Sequence, residues 1–348
     1  MTTLFPKPIH RPHEPIRRPH DALSKLATDL FIAAGMDADK ARCVADLLLL
    51  TDMMGRHTHG LAQCGAYLDE LVGGRMTATG VPETIRDTGS TAVWDGNYLP
   101  GLWLMQRALS LGFERLAAHG VFTLSMRRSH HIGCLAALAK QATDRGYYAM
   151  IASSGPHTKA VAPFGGKQGL FSPNPFAFAF PTTEFPVLVD TCASITTVSM
   201  TREKTAAGEQ FEHAWLIDSH GRPSRDPSVV ERQQDRGSLM LLGGMESGHK
   251  GFGRRDEPKR WGASVYLQLI DPAAFAGSAA SIDQMDFLVE QCHANSPIDP
   301  TRPVRLPGEQ ATRNVTAHRR DGVPVSPETV AALRRWAARL QIDDAVLT

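Results

Sequence analysis

The sequence predicts an α/β protein, helical at both ends and strand-rich in the middle. Three patterns carry that expectation. Apolar residues recur at three- and four-residue steps near both ends of the chain, the spacing of an amphipathic helix. In the middle, short apolar runs alternate with helical stretches, the strand–helix–strand rhythm of an α/β core. Glycine and proline punctuate the boundaries where either pattern stops.

Residues 1–20 carry five prolines, three histidines and four basic residues with little to bury, and predict a flexible or surface-draped arm. His10, His13 and His20 could bind a metal, but a solvated tail is the preferred reading. From Asp21 onward Leu23, Leu26, Leu30, Phe31 and Ala34 predict a first helix. A second spans about residues 38–53, and a third runs to about 72. Thr91–Asp95 predicts a strand turning at Gly96-Asn97, followed by a helix over 103–118 that stops at His119-Gly120. Strands are expected at 121–125, 147–153, 176–180, 186–190 and about 261–270, with a helix over 132–144. The stretch 202–260 is charged and poorly periodic. Ser281-Ile-Asp-Gln284 reads as a capping box opening a helix through His293. Ser326-Pro327 reads as the cap and first residue of the last helix.

Bulk properties exclude several classes. The 348 residues are 42% hydrophobic and 21% charged, with a formal net charge of +1, so no broad field invites nucleic acid or an anionic membrane. Five scattered cysteines without a CxxC argue against a disulfide framework or a zinc ribbon and suit reduced thiols. The first residues lack a signal-peptide core, and no apolar run has the roughly 18–20 residues needed to cross a bilayer. A soluble, cytoplasmic protein is expected. GxGxxG after a strand, a P-loop, HExxH and GxSxG are all missing from the sequence.

Two histidine pairs sit on helix-entry turns beside glycine: His57-Thr58-His59-Gly60 and His130-His131-Ile132-Gly133. Histidine titrates near neutrality and can move the proton that accompanies hydride transfer. Such a histidine can also simply cap a turn, and His57, His59, His130, His131 and His249 could supply imidazoles to a metal. The amides opening the helix over 132–144 are a candidate phosphate cradle. Asp190, at a strand end, can orient an imidazole or cap a turn, and His249-Lys250 in a glycine-rich loop can meet an anionic cofactor or only solvent.

Eight short motifs, in order, resemble the malate/L-lactate dehydrogenase family of non-Rossmann type, whose members include L-sulfolactate dehydrogenase, ureidoglycolate dehydrogenase, 2,3-diketo-L-gulonate reductase and piperideine-2-carboxylate reductase. They are Thr58-His-Gly60, Arg128-Ser-His-His-Ile-Gly133, Ala162-Pro-Phe-Gly-Gly166, Ser172-Pro-Asn-Pro-Phe-Ala-Phe-Ala-Phe-Pro181, Val189-Asp-Thr-Cys-Ala-Ser194, Trp215-Leu-Ile-Asp-Ser-His-Gly221, Gly248-His-Lys-Gly251 and Leu306-Pro-Gly-Glu309. The resemblance covers the chain from about residue 21 onward.

It implies a helical domain made from both chain ends (21–87 with 276–348) and a mixed-sheet dinucleotide-binding domain (88–275). It further implies NAD or NADP as cofactor, no metal, a small acid substrate and a homodimer. By matched position His59 is the implied proton donor, with Thr58 where serine is usual and Asp190 as its relay partner; His131 takes the acid/base role in some relatives. His131, Ile132, Gly133, Cys134 and Leu135 are implied to contact cofactor, with Ser172, Pro173 and Asn174 along it. His249 and Lys250 are implied near its phosphates, and Arg305, Gly308, Glu309 and Arg313 in a segment closing over it. Many relatives read Ser-His-Gly-x-x-Arg, the arginine gripping the substrate carboxylate. The last position here is Gln63, which leaves Arg56 or Arg128 to supply the charge. The implied reaction is hydride transfer at the α carbon of a 2-hydroxy or 2-oxo acid, or of a cyclic 2-imino acid. A metal-dependent hydrolase and a catalytically silent ligand-binding relative are the alternatives.

Overall fold

The computed structural model describes residues 15–155, 158–232, 234–240 and 260–348. The chain opens with β1 (Ile16–Arg18), α1 (His20–Ala33), α2 (Ala38–Met53), two single 3₁₀ turns at His57–His59 and Leu61–Gln63, and α3 (Cys64–Val72). Then come β2 (Glu83–Asp87), β3 (Thr91–Asp95), α4 (Gly101–His119), β4 (Val121–Ser129), α5 (Leu135–Thr143), β5 (Tyr148–Ser154), β6 (Pro175–Phe180) and β7 (Val187–Cys192). The remainder is α6 (Val198–Ala206), β8 (Leu216–Ile217), β9 (Pro223–Ser224), β10 (Ser238–Leu239), β11 (Ala263–Ile270), α7 (Ser278–His293), α8 (Glu309–Asp321), β12 (Val323–Val325) and α9 (Pro327–Leu340).

Seven strands form the central mixed sheet in the order β2-β3-β4-β11-β5-β6-β7. Only β3 and β4 run parallel, joined by α4 as a crossover; the other neighbours are antiparallel. Leu124 and Met126 of β4, Leu267 and Leu269 of β11 and Ile151 of β5 are buried in one continuous core with Leu104, Ala108 and Leu109 of α4. Burying each such leucine contributes about 1.5–3 kcal/mol. The same core takes in α1, α2, α3 and α9, so the helical ends and the sheet share one interior.

Of the arm expected over residues 1–20, residues 1–14 lie outside the described residues, and the remainder holds β1 and the start of α1. Ile16 pairs with Val325 and Arg18 with Val323, so the backbone hydrogen bonds find a partner more than three hundred residues away. α5 begins three residues later than the period suggests, because Gly133 has φ +67° and Cys134 is extended (φ −84°, ψ 119°). α7 begins at Ser278 after Gly277 (φ +96°); Ser281 lies inside the helix, where its hydroxyl meets that of Tyr148 instead of capping. Ser326 does cap α9, accepting from the Thr329 amide at 3.3 Å, with Pro327 at the first position. In the poorly periodic stretch, β10-β8-β9 form a small sheet over its own core of Phe211, Leu216, Val229 and Leu239. Strands of two residues are too short to display an alternation.

Candidate active site

A cleft of about 1210 Å³ opens where the 3₁₀ turns, the β4–α5 turn, β7 and α6 converge. Arg56, Thr58, His59, Gln63, His131 through Leu135, Ser172, Pro173, Asp190 and Trp261 are among its lining residues.

His59 is delivered by a tight turn after α2. Beneath that turn lies Asp52, only 4% exposed, whose Oδ2 accepts the Leu61 amide at 2.7 Å and whose Oδ1 is 3.4 Å from His57 Nδ1. A Cβ on Gly60 would come within 2.2 Å of that carboxylate, so glycine is required there. Burial pushes the Asp52 carboxyl upward, opposed by His57 and the Leu61 amide. Thr58 Oγ1 lies 3.0 Å from His59 Nδ1, which leaves Nε2 for chemistry. Gln63 Nε2 donates to the Thr58 carbonyl at 2.7 Å and braces the same turn. Burial lowers the proton affinity of His59, the Asp190 charge raises it and Arg56 lowers it again, with a net downward shift. At neutral pH the imidazole is therefore neutral and suited to accept a proton.

The second turn is shaped by contact. A Cβ on Gly101, the first residue of α4, would lie 2.3 Å from the carbonyl oxygens of both His130 and His131. His131 Nδ1 pairs with the buried Tyr67 hydroxyl at 2.6 Å, its ring 5.8 Å from His59 and 5.0 Å from Trp261. Burial drives the Tyr67 phenol upward, so it stays protonated. His130 is outside the cleft lining: it is fully buried, with Nε2 3.7 Å from Glu70 Oε2 and, among the described residues, no hydrogen bond to either ring nitrogen. Burial lowers its proton affinity despite Glu70.

Asp190 sits on β7 opposite Ala177. Its Oδ2 accepts the Ala136 amide of α5 at 2.9 Å and lies 3.4 Å from Cys134 Sγ. The helix start expected to hold a phosphate is thus already held by a carboxylate of the chain itself. The Cys134 thiol, buried beside that carboxylate, is pushed up to about 12. Asp190 acts on His59 through its charge, with no hydrogen bond joining the two among the described residues.

With this geometry in view, the comparison with known proteins is decisive. The family model described as malate/L-lactate dehydrogenase matches residues 19–255 and 254–334. The chain belongs to the malate/L-lactate dehydrogenase family. It is an oxidoreductase. Hydroxycarboxylate dehydrogenase B of Escherichia coli K12 is 26% identical over 339 residues, covering 91% of this chain and 92% of that protein. An L-lactate dehydrogenase of Cupriavidus necator is 26% identical over 344 residues, covering 91% and 96%. The crystal structure of malate dehydrogenase from Entamoeba histolytica superposes with a TM-score of 0.87 at 18% identity, covering 95% of this chain and all of that one.

Several of the family-matched positions lie elsewhere. Arg128 (φ +51°) is outside the cleft lining: its Nη2 is 2.6 Å from Oδ2 of the fully buried Asp95 and 3.1 Å from Asn97 Oδ1. Burial alone would raise the Asp95 carboxyl, but Arg128, the Asn97 amide and Arg127 outweigh it and hold it low. Ser172 Oγ accepts from the Gly155 amide at 2.9 Å and donates to Asn174 Oδ1 at 2.5 Å, so Asn174 braces Ser172 at the cleft wall. Arg305, Gly308, Glu309 and Arg313 are outside the lining too. Gly308 packs on the Pro186 carbonyl, Glu309 pairs with Arg313 at 2.5 Å and His293 at 3.1 Å, and Arg305 bonds Gln310 at 2.9 Å. His249 and Lys250 lie outside the described residues. Among the described residues no group of three or more His, Cys, Asp or Glu side chains is placed to hold a metal ion.

Sequence reasoning missed Asp52, Tyr67, Gly101 and Trp261, which position the histidines, and the α6 wall of the cleft. Thr197 caps α6, accepting from the Met200 amide at 3.1 Å, and Thr196 through Met200, Arg202, Lys204 and Arg236 line the cleft. A threonine three residues before Met200 was the available signal, obscured by the weakly apolar helix it opens.

Proposed function

We propose that the protein interconverts small 2-hydroxy acids and 2-oxo acids, or reduces the related cyclic 2-imino acids, with NAD or NADP, and that His59 moves the proton. One observation carries this reading: a half-buried, neutral imidazole in a large cleft, set between the charges of Asp190 and Arg56, with a second imidazole at 5.8 Å. The donor set suits a dinucleotide. Cations on Arg202, Lys204 and Arg236 suit a diphosphate, the start of α6 favours anions, and Ser172, Ser194 and Thr196 offer hydroxyls to riboses.

When bound, the nicotinamide would supply or accept hydride at the substrate's α carbon. In the oxidative direction His59 Nε2 takes the hydroxyl proton, and Asp190 stabilises the imidazolium that results. In reduction the same atom returns the proton to oxygen or nitrogen. Tyr67 fixes the ring of His131, so the second imidazole meets the substrate in one orientation. We assign the cleft to the junction of a helical domain (21–87 with 276–348), which brings His59 and Gln63, and a dinucleotide domain (88–275), which brings His131 and Asp190. A cytoplasmic location accords with five free cysteines, and a homodimer with the exposed Phe275, Phe287, Leu288 and Ile298.

The test is thermal stabilisation by NAD(H) and NADP(H), followed by turnover of a 2-oxo acid panel. A dinucleotide bound at a hundredfold excess over Kd adds about 2.7 kcal/mol. His59→Ala should keep that stabilisation while turnover falls by about 10²–10⁴-fold. Full turnover in His59→Ala would remove the assignment.

A further inference from the structure

We propose that Arg56 is the anchor for the substrate carboxylate, so that the acid group docks on the turn that carries His59 and not at position 63. The inference rests on the hydroxy-acid reading of the cleft. In a 2-oxo acid the carboxylate and the reacting carbonyl are one bond apart, so the cation that holds the one must stand beside the imidazole that serves the other.

Arg56 meets that requirement. It lines the cleft three residues before His59 in the same turn. Its backbone is held on both sides, the amide donating to the Thr51 carbonyl at 3.0 Å and the carbonyl accepting from the His59 amide at 2.9 Å. Its guanidinium has no ion pair among the described residues and lies close enough to His59 to depress its proton affinity.

The competing groups are committed elsewhere. Gln63 has no charge, and its Nε2 is given to the Thr58 carbonyl. Arg128 is bound to Asp95 outside the cleft lining. Lys204 is paired with Glu209 at 2.9 Å, and Arg236 Nε donates to the Val230 carbonyl at 2.8 Å. Arg202 lies on the α6 wall, whereas Arg56 lies in the turn that carries His59. A carboxylate docked on Arg56 cancels the positive neighbour of His59, so substrate binding raises the proton affinity of the group that must exchange a proton with it.

The experiment uses oxamate, a carboxylate analogue of a small 2-oxo acid, titrated by thermal shift into the full chain saturated with NADH or NADPH. Arg56→Ala and, as the charge-only change, Arg56→Gln should weaken oxamate roughly tenfold to a hundredfold. Their stabilisation by the dinucleotide should stay intact. KM for any 2-oxo acid turned over should rise by a similar factor, more than kcat falls. Adding Gln63→Arg to Arg56→Ala should restore part of the loss. Equal oxamate affinity in wild type and both Arg56 variants overturns the inference alone, as does a wild type that binds dinucleotide but not oxamate. A wild type stabilised by no dinucleotide overturns the cleft reading and the inference together.

Discussion

The two glycine-bounded histidine turns look alike in sequence and are held by different forces. The His57–Gly60 turn rests on a buried carboxylate: Asp52 takes the Leu61 amide and stands against His57. The His130–Gly133 turn rests on steric contact with Gly101 and on one phenol, Tyr67. Each turn sends one imidazole into the cleft, His59 and His131, and keeps the other for structure. The first restraint is chiefly a carboxylate; the second is chiefly steric contact. A titrating group is therefore tuned by the first turn, and a fixed reference surface is set by the second.

The widest contrast lies within one turn. His59→Ala should cost about 10²–10⁴ in turnover. His57→Ala should cost only the roughly tenfold or less that follows from losing a contact to Asp52, measured as kcat/KM on the same substrate. Next come the two supports. Gly101→Ala forces a Cβ against two carbonyl oxygens and should lower unfolding stability by about 1–3 kcal/mol. Asp52→Ala strands the Leu61 amide for a similar loss of about 1–3 kcal/mol. Urea midpoints measure both, and only the Asp52 change should alter the pH dependence of stability. Burial raises the Asp52 carboxyl above its unfolded value, so its contribution is greatest below that value and is lost as pH rises through the folded one.

A third prediction concerns sign alone. Asp190 raises the proton affinity of His59, so Asp190→Asn should move the acid limb of the oxidation profile to lower pH as its plateau falls. Arg56→Ala should move that limb to higher pH. Limbs that stay in place would separate these charges from His59. Smallest is Tyr67→Phe, which removes one hydrogen bond from His131 and should cost up to about tenfold in kcat/KM. Because the geometric restraint from Gly101 remains, stability should change little.

Sequence pattern made much of this legible. Glycine beside paired histidines pointed to the turns, apolar alternation to β4 through β7 and β11, and Ser326-Pro327 to the start of α9. What stayed hidden depends on long-range closure. Nothing local shows that β11 inserts between β4 and β5. Nor does anything local show that Asp190 reaches 54 residues back to the Ala136 amide, or that Tyr67 meets His131 across 64 residues. Asp52 hid in the last turn of α2, just after a run of four leucines, where a carboxylate reads as surface until the turn above it is in place. Gly101 falls before the helix expected over 103–118, and the backbone that crowds it belongs to another segment.

The pairing of β1 with β12 reaches into how the molecule comes into being. Ile16 waits for Val325, and α9 closes on α1, α3 and the Leu61–Gln63 turn that follows His59. During synthesis the sheet strands through β11 can form while the His59 turn still lacks its outer buttress. Closing a loop of some three hundred residues is entropically slow, though each doubling of length adds only about 0.6 kcal/mol. The support of the His59 turn is therefore complete only once residues 323–340 have docked.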